Sequence, residues 1–412
     1  MLATFLLIPF EGARLVFFGV PMYFVEITTL GCGMVLAAML YSRYRQNDRT
    51  AYSALLPPRH ITVGIFTLLG GVTLSILAAL PESALCTLSS ETLLTALGIL
   101  KSWFLFPIFF GYTIFLISQR YFSRDNILFI FALSFLPFFL YSSLMWLFGS
   151  YTTYDGRFES IFNSPNAFSM LLTPILILSW YFLRTQRTIF WFFFSFLLIF
   201  LLFLTHSYSA WLATCIALLF FEAIHQRPTP KTLGMTLGIA AFLLALFYFT
   251  YGNTPRFEHF FSLDSRSSFA SRVMIWQSAG KILIDSPVFG IGPGNFQSCY
   301  LAYQQFFPPY LEWSVPEPHN IFLAFWLGSG IIGLISFCFL IFAWLRHIAI
   351  SISKTENPSV PWIFTALMIA FLVHGLFDTP YWRISLSYLF WIIFFLGIAP
   401  EKCTPTSYKR IL

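Results

Sequence analysis

The sequence predicts an all-α integral membrane protein of about twelve transmembrane helices, with one large outer loop that contains short amphipathic helices. Three observations carry this. Of 412 residues, 58% are hydrophobic, 53 are phenylalanine and only 10% are charged, where soluble proteins carry about 25% charge. Apolar runs near the roughly 20 residues needed to cross a bilayer recur along the chain. Lysine and arginine, finally, are sorted into alternate loops.

The elements follow in order. The first run, 2–19, is broken by Glu11 and Arg14, which allows a re-entrant or interfacial segment in its place and leaves no cleavable signal peptide. Span 21–41 is followed by Arg43, Arg45 and Arg49, and span 61–80 is preceded by Arg59. Span 92–118 holds Lys101 near one end and Pro107 inside; span 127–148 holds Pro137, and span 166–183 holds Pro174 and ends at Arg184. Prolines at these positions are expected to kink helices, which packed bundles tolerate. Spans 189–205 and 210–224 flank a tight turn, and Arg227 and Lys231 separate the latter from 232–251. After the long polar stretch 252–318 come spans 319–345, 361–378 and 384–399.

Fifteen of the 23 lysines and arginines fall in one set of loops and six in the other, with Arg14 and Lys101 at span ends. Short loops with the basic excess face the cytoplasm, so both termini are expected inside and the long loop outside. The net charge of +6 therefore marks topology rather than a nucleic-acid partner. Three regions result: an N-terminal bundle at 1–251, the outer loop at 252–318, and C-terminal helices with a tail at 319–412. Cys32, Cys215 and Cys338 lie in apolar segments as packing residues. Cys86 and Cys299 both fall on the outer side, and their pairing stays open because spacing does not fix disulfide geometry.

The outer loops hold the chemistry. In the long loop, Val273, Trp276, Ala279, Ile282 and Leu283 follow helical spacing, with Ser271 as the expected N-cap. Arg272 then falls in the first turn, where a cation gains nothing from the helix dipole. An anionic ligand explains it, as does a salt bridge to Asp264 or Asp285. Gly290, Gly292 and Gly294 form a glycine-rich turn that matches neither standard phosphate-binding fingerprint and is expected to let the chain fold back tightly. Pro-Glu-Pro then leads into His319-Asn320 at the head of a membrane helix. Nearby cations favour a neutral imidazole that can accept a proton. Deeper in that helix, Gly330 and Gly333 give a small-residue face for close helix approach. Lys101 either snorkels or serves the site.

Taken as an ordered set, these residues resemble the O-antigen ligase and polymerase family of bacterial inner-membrane glycosyltransferases. The likeness rests on His319-Asn320 followed after nine residues by Gly330-x-x-Gly333, and on Gly156-Arg157 with Asn163-Ser-Pro-Asn166. Arg272-x-x-x-Trp276, the turn 287–294 with its three glycines, and His374-Gly-Leu-Phe-Asp378 extend it over most of the chain. The resemblance implies a periplasmic active site that moves a glycan from undecaprenyl pyrophosphate to an acceptor hydroxyl, such as lipid A–core, without metal or cofactor. It implies that Arg272, with Lys101 second, stabilises the pyrophosphate leaving group, and that His319 takes or orients the acceptor proton. Trp276, the glycines and Asp378 carry over as structural positions, and Asn320 as a substrate-side residue. One departure stands out. Where the family has an arginine in a Thr-x-Ser-Arg-x-Ala turn, residues 205–210 place Tyr208. His206, Arg157 or Arg266 then supplies the missing cation, or activity is altered. The alternatives within the family are a polysaccharide polymerase and a protein O-oligosaccharyltransferase. Outside it stand a transporter, which predicts charge at mid-membrane, and a non-catalytic relative.

Overall fold

The computed structural model describes residues 1–17, 20–45, 56–79, 90–149, 152–153, 155–225, 267–308, 313, 315–355 and 359–400. These residues form a helical bundle. In chain order the helices are α1 (Leu2–Leu7), α2 (Phe24–Arg45), α3 (Arg59–Ala78), α4 (Ser90–Ile99), α5 (Phe106–Arg120), α6 (Arg124–Ser134), α7 (Leu136–Leu147) and α8 (Pro165–Gln186). They continue with α9 (Ile189–Leu204), α10 (Tyr208–His225), α11 (Ser268–Asp285), α12 (Phe296–Tyr303), α13 (Ile321–Lys354), α14 (Ser359–Gly375) and α15 (Ile384–Ile398).

Six helical stretches among the described residues are long and apolar enough to cross a membrane, and four more apolar helices have 10–17 residues. The expected span 232–251 lies outside the described residues. The expected first span is not a helix. Only α1 forms, and Arg14–Phe17 (β1) pairs antiparallel with Val20–Tyr23 (β2), so the fold carries one hairpin besides its helices. Glu11 and Arg14 explain the break, since neither can remain unpaired inside hydrocarbon. Span 127–148 divides into α6 and α7 next to Pro137, whose missing N–H interrupts the helical ladder. Pro107 begins α5 directly after a π-helical stretch, Leu100–Leu105, whereas Pro174 sits inside an unbroken α8.

The bundle is held by tight packing and a few hydrogen bonds between helices, as expected where lipid supplies no hydrophobic drive. The α3 and α13 helices make the most extensive pairing. A Cβ on Gly71 would lie 2.7 Å from the Gly333 nitrogen, so the α13 backbone comes this close only because residue 71 is glycine. Buried hydroxyls link other elements: Ser142 with Ser160, Ser179 with Ser195, and Thr29 with Tyr388. An aromatic cluster of Phe104, Phe325, Tyr381 and Trp382 locks α13 to the turn before α15, beneath the site.

Candidate functional site

The loop helix α11 begins one turn earlier than its sequence suggests. Ser267, not Ser271, is the N-cap, accepting from the Ala270 N–H. Arg272 therefore lies beyond the first turn. Its buried face includes Met274 and Ile275, while Val273 is only partly covered. With α12, Val315 and Leu327, this face forms a second, smaller core. Arg272 and Trp276 are four residues apart, so they share one side of α11. Both point at the segments that carry the titratable groups.

Arg272 Nε donates to the Phe377 carbonyl at 2.8 Å, and one terminal nitrogen donates to the Ser268 carbonyl at 3.2 Å. The proposed bridge to Asp285 is not made. Asp285 is held by Lys281 at 3.1 Å and by the Tyr303 hydroxyl at 2.9 Å, while Asp264 lies outside the described residues. Burial lowers the Arg272 pKa and the charge of Asp378 opposes that shift.

Asp378 is buried, and its Oδ1 lies 3.1 Å from His319 Nδ1 while also accepting from the Thr379 N–H at 3.0 Å. Burial alone would raise the Asp378 pKa, but His319, Arg272 and His374 outweigh it and hold the group ionised. An ionised carboxylate only accepts hydrogen bonds. Nδ1 of His319 therefore carries the proton, and Nε2 is left as the basic nitrogen. Cations alone do not set this imidazole; a carboxylate orients it. The backbone is constrained too. His319 adopts φ +49°, a region rare for residues other than glycine, and Trp276 Nε1 donates to its carbonyl at 3.3 Å. Asn320 caps α13 through Oδ1, accepting from Phe322 and Leu323, and its amide donates to the Leu376 carbonyl.

Next to this group opens a cavity of about 270 Å³. Its lining includes Arg157, His206, Tyr208, Arg272, Asn166 and Phe377. Arg157 is aimed by two contacts, Nε to the Thr205 carbonyl at 2.8 Å and a terminal nitrogen to Asn166 Oδ1 at 2.6 Å. It is thereby pinned to the α9–α10 turn that Tyr208 closes. His206 in that turn has φ +48°, so the turn places a strained residue in the cavity wall. His319 does not line the cavity. It is joined to it through Asp378, whose neighbour Phe377 forms part of the wall and accepts from Arg272.

Lys101 is elsewhere. Its Nζ lies 2.7 Å from Glu26, whose side chain is fully buried, and it donates to the Pro21 carbonyl at 2.6 Å. The buried carboxylate needs a counter-charge and takes this one, so Lys101 ties the hairpin to the bundle instead of joining the cavity. Arg383 is likewise engaged, by Glu11 at 3.4 Å and the Phe162 carbonyl. Arg266 lies outside the described residues. Gly290, Gly292 and Gly294 all have positive φ and form the turn between α11 and α12. Cys299 is disulfide-bonded; Cys86 lies outside the described residues. Sequence reasoning missed the partnership of Asp378 with His319 and the support of Arg157 by Asn166. Only the shared motifs hinted at either.

Residues 193–338 match the O-antigen ligase family profile. Over 260 residues the chain is 28% identical to a ComP-specific O-oligosaccharyltransferase of Acinetobacter baylyi, covering 59% of this chain and 43% of that protein. Over 220 residues it is 27% identical to an O-antigen ligase of Salmonella typhimurium, covering 51% of this chain and 53% of that one. The chain thus spans about half the length of the curated relatives it matches. With its apolar helical bundle, the chain is thus similar to the O-antigen ligase family, the likeness to the family profile lying in residues 193–338.

Proposed function

We propose that the protein is a glycosyltransferase of the periplasmic face of the bacterial inner membrane, which moves a glycan from undecaprenyl pyrophosphate to an acceptor hydroxyl. The observation that carries this is the pairing of a two-arginine cavity with a carboxylate-oriented histidine across residues 377–378. Arg272 and Arg157 bind the pyrophosphate, the first with the terminal nitrogen not committed to protein carbonyls, the second as the cation at the turn where Tyr208 stands. Fixed guanidinium groups in a water-poor site favour the leaving group as its charge grows. His319 Nε2 takes the proton from the acceptor hydroxyl. The freed oxygen attacks the anomeric carbon from the face opposite the pyrophosphate, the carbon–oxygen bond to phosphate breaks, and its electron pair leaves on the pyrophosphate. One configuration is inverted. Proton transfer of this kind contributes about 10²–10⁴-fold.

Lipid A–core is the acceptor we favour, on the likeness to an O-antigen ligase. A protein hydroxyl is the second reading, because the match to an O-oligosaccharyltransferase is of the same strength. Complementation of a ligase-deficient strain separates them: glycan-bearing lipopolysaccharide on a gel supports the first, and a glycan-bearing protein band the second. Loss of product in both the His319→Ala and Arg272→Ala variants, at normal expression, is expected. Normal transfer by either variant refutes the chemistry.

A further inference from the structure

The turn between α11 and α12 is not a simple solvent loop. Inside α13, Gly330 adopts φ +67° and ψ −178°, which breaks the helical ladder at that point. The Ile331 N–H would ordinarily bond the Leu327 carbonyl. Instead it donates to the Val288 carbonyl at 2.9 Å, and the Ile291 N–H donates to the Leu327 carbonyl at 2.8 Å. The turn is spliced into the gap. A Cβ on Gly330 would lie 2.5 Å from the Val288 carbonyl, and one on Gly290 would lie 2.3 Å from the Leu327 carbonyl, so both glycines are needed for the two backbones to meet.

Three further carbonyls of the turn are also taken. Ser286 accepts from the Gly290 N–H, Pro287 from Trp326 Nε1 at 2.8 Å, and Phe289 from the Ser75 hydroxyl near the end of α3. Four consecutive carbonyls thus have partners within the protein. The side chains between them do the opposite. Val288 is 50% exposed and Phe289 44% exposed. Water would satisfy these carbonyls without such an arrangement; hydrocarbon supplies no partner for a carbonyl, so one at membrane depth must find it within the protein. The two membrane helices that the turn is bonded to also expose apolar side chains, Leu77 on α3 and Ile335 on α13, 57% and 61% exposed.

We propose that the 286–291 turn is embedded in the lipid leaflet on the side of the active site, with Val288 and Phe289 in contact with acyl chains. It thereby anchors α11, which bears Arg272, at a fixed height relative to α13, which His319 leads into. The occupant is lipid because the turn is hydrogen-bonded to two membrane helices that expose apolar side chains of their own, and every backbone carbonyl from Ser286 to Phe289 is internally paired.

The full chain in native membranes, carrying the photo-cross-linking residue p-benzoylphenylalanine at position 288, 289 or 277, tests this. Gln277 is exposed on α11 away from the turn. Phospholipid adducts at 288 and 289 and none at 277 are expected. Adducts to another protein or to a second copy at 288 and 289, or equal lipid labelling at 277, overturn the proposal. An independent readout is thiol accessibility, with the cysteines outside the disulfide replaced by serine. Val288→Cys should resist a membrane-impermeant maleimide that labels Gln277→Cys, and equal labelling overturns the proposal. Neither measurement depends on glycan transfer, so failure here is distinct from failure of the proposed reaction.

Discussion

Asp378→Asn is the sharpest test of the proposed chemistry. The side chain keeps its shape, and the asparagine carbonyl can still accept from the Thr379 N–H and from His319 Nδ1, which lie 3.0 and 3.1 Å from Oδ1. Only the charge is removed. In the transition state the imidazole gains a proton, and the lost partner is a full negative charge about 4 Å from the ring centre. At an effective dielectric near 20 that interaction amounts to roughly 4 kcal/mol, or about a thousandfold in rate. The assay is the initial rate of glycan transfer in proteoliposomes with a lipid-linked donor, together with a melting curve to confirm folding. kcat should fall by about 10³ while the donor KM changes far less. A kcat loss under about tenfold in a folded variant, or a loss wholly in KM, refutes the role of the dyad, since a general base with its orienting carboxylate intact contributes at least about 10².

Arg157→Ala should raise the donor KM and lower kcat. Tyr208→Arg in the same chain should recover part of the activity, because it returns a cation to the same turn; steady-state kinetics over a donor series reads both. Gly330→Ala should destabilise by ~1–3 kcal/mol from backbone strain alone, with more from the 2.5 Å approach to the Val288 carbonyl. Gly98→Ala, where a Cβ meets nothing within 4 Å, should be neutral or better, and melting temperatures compare them. Lys101→Met should act on stability rather than chemistry, since it strands a buried Glu26. Breaking such a pair costs about 3–5 kcal/mol when both partners are buried and less here because Lys101 is partly exposed. Adding Glu26→Gln should restore melting. Glu317 has its pKa raised well above the usual carboxylate value by burial, with Arg383 opposing and Asp378 adding to the rise. Its contribution to stability is present below the ordinary carboxylate pKa and is lost as pH rises through the elevated one. Glu317→Gln should therefore flatten the fall of melting temperature on the alkaline side, and an unchanged pH profile refutes this.

Much of the bundle was legible because lipid imposes a single rule: long apolar runs become helices. The rule failed at residues 2–19, where two charges divided the run and a half-length helix with a hairpin formed instead. The helix α13 also runs beyond the expected span end at 345 to Lys354, since a helix need not stop where its apolar run meets Arg346. At the site, sequence singled out His319, Arg272, Arg157, His206 and Tyr208, and the structure gathers the last four around one cavity. It could not show that Lys101 belongs to Glu26, since the two are 75 residues apart and nothing in spacing couples them. Nor could it show that Asp378 turns the imidazole, because residues 319 and 378 are brought together only by packing of α13 against the turn before α15. Gly330 read as a residue for close helix approach; its actual conformation depends on a strand of backbone from another loop.

The ion pair between Glu11 and Arg383 has a bearing on biogenesis. It joins Glu11 to a residue that is synthesised long after it. During synthesis the early carboxylate waits, without its eventual counter-charge, until residue 383 has emerged. The join between the N-terminal segment and the turn before α15 is therefore made late, and a nascent chain stalled before α15 should present that segment in an open, protease-sensitive state.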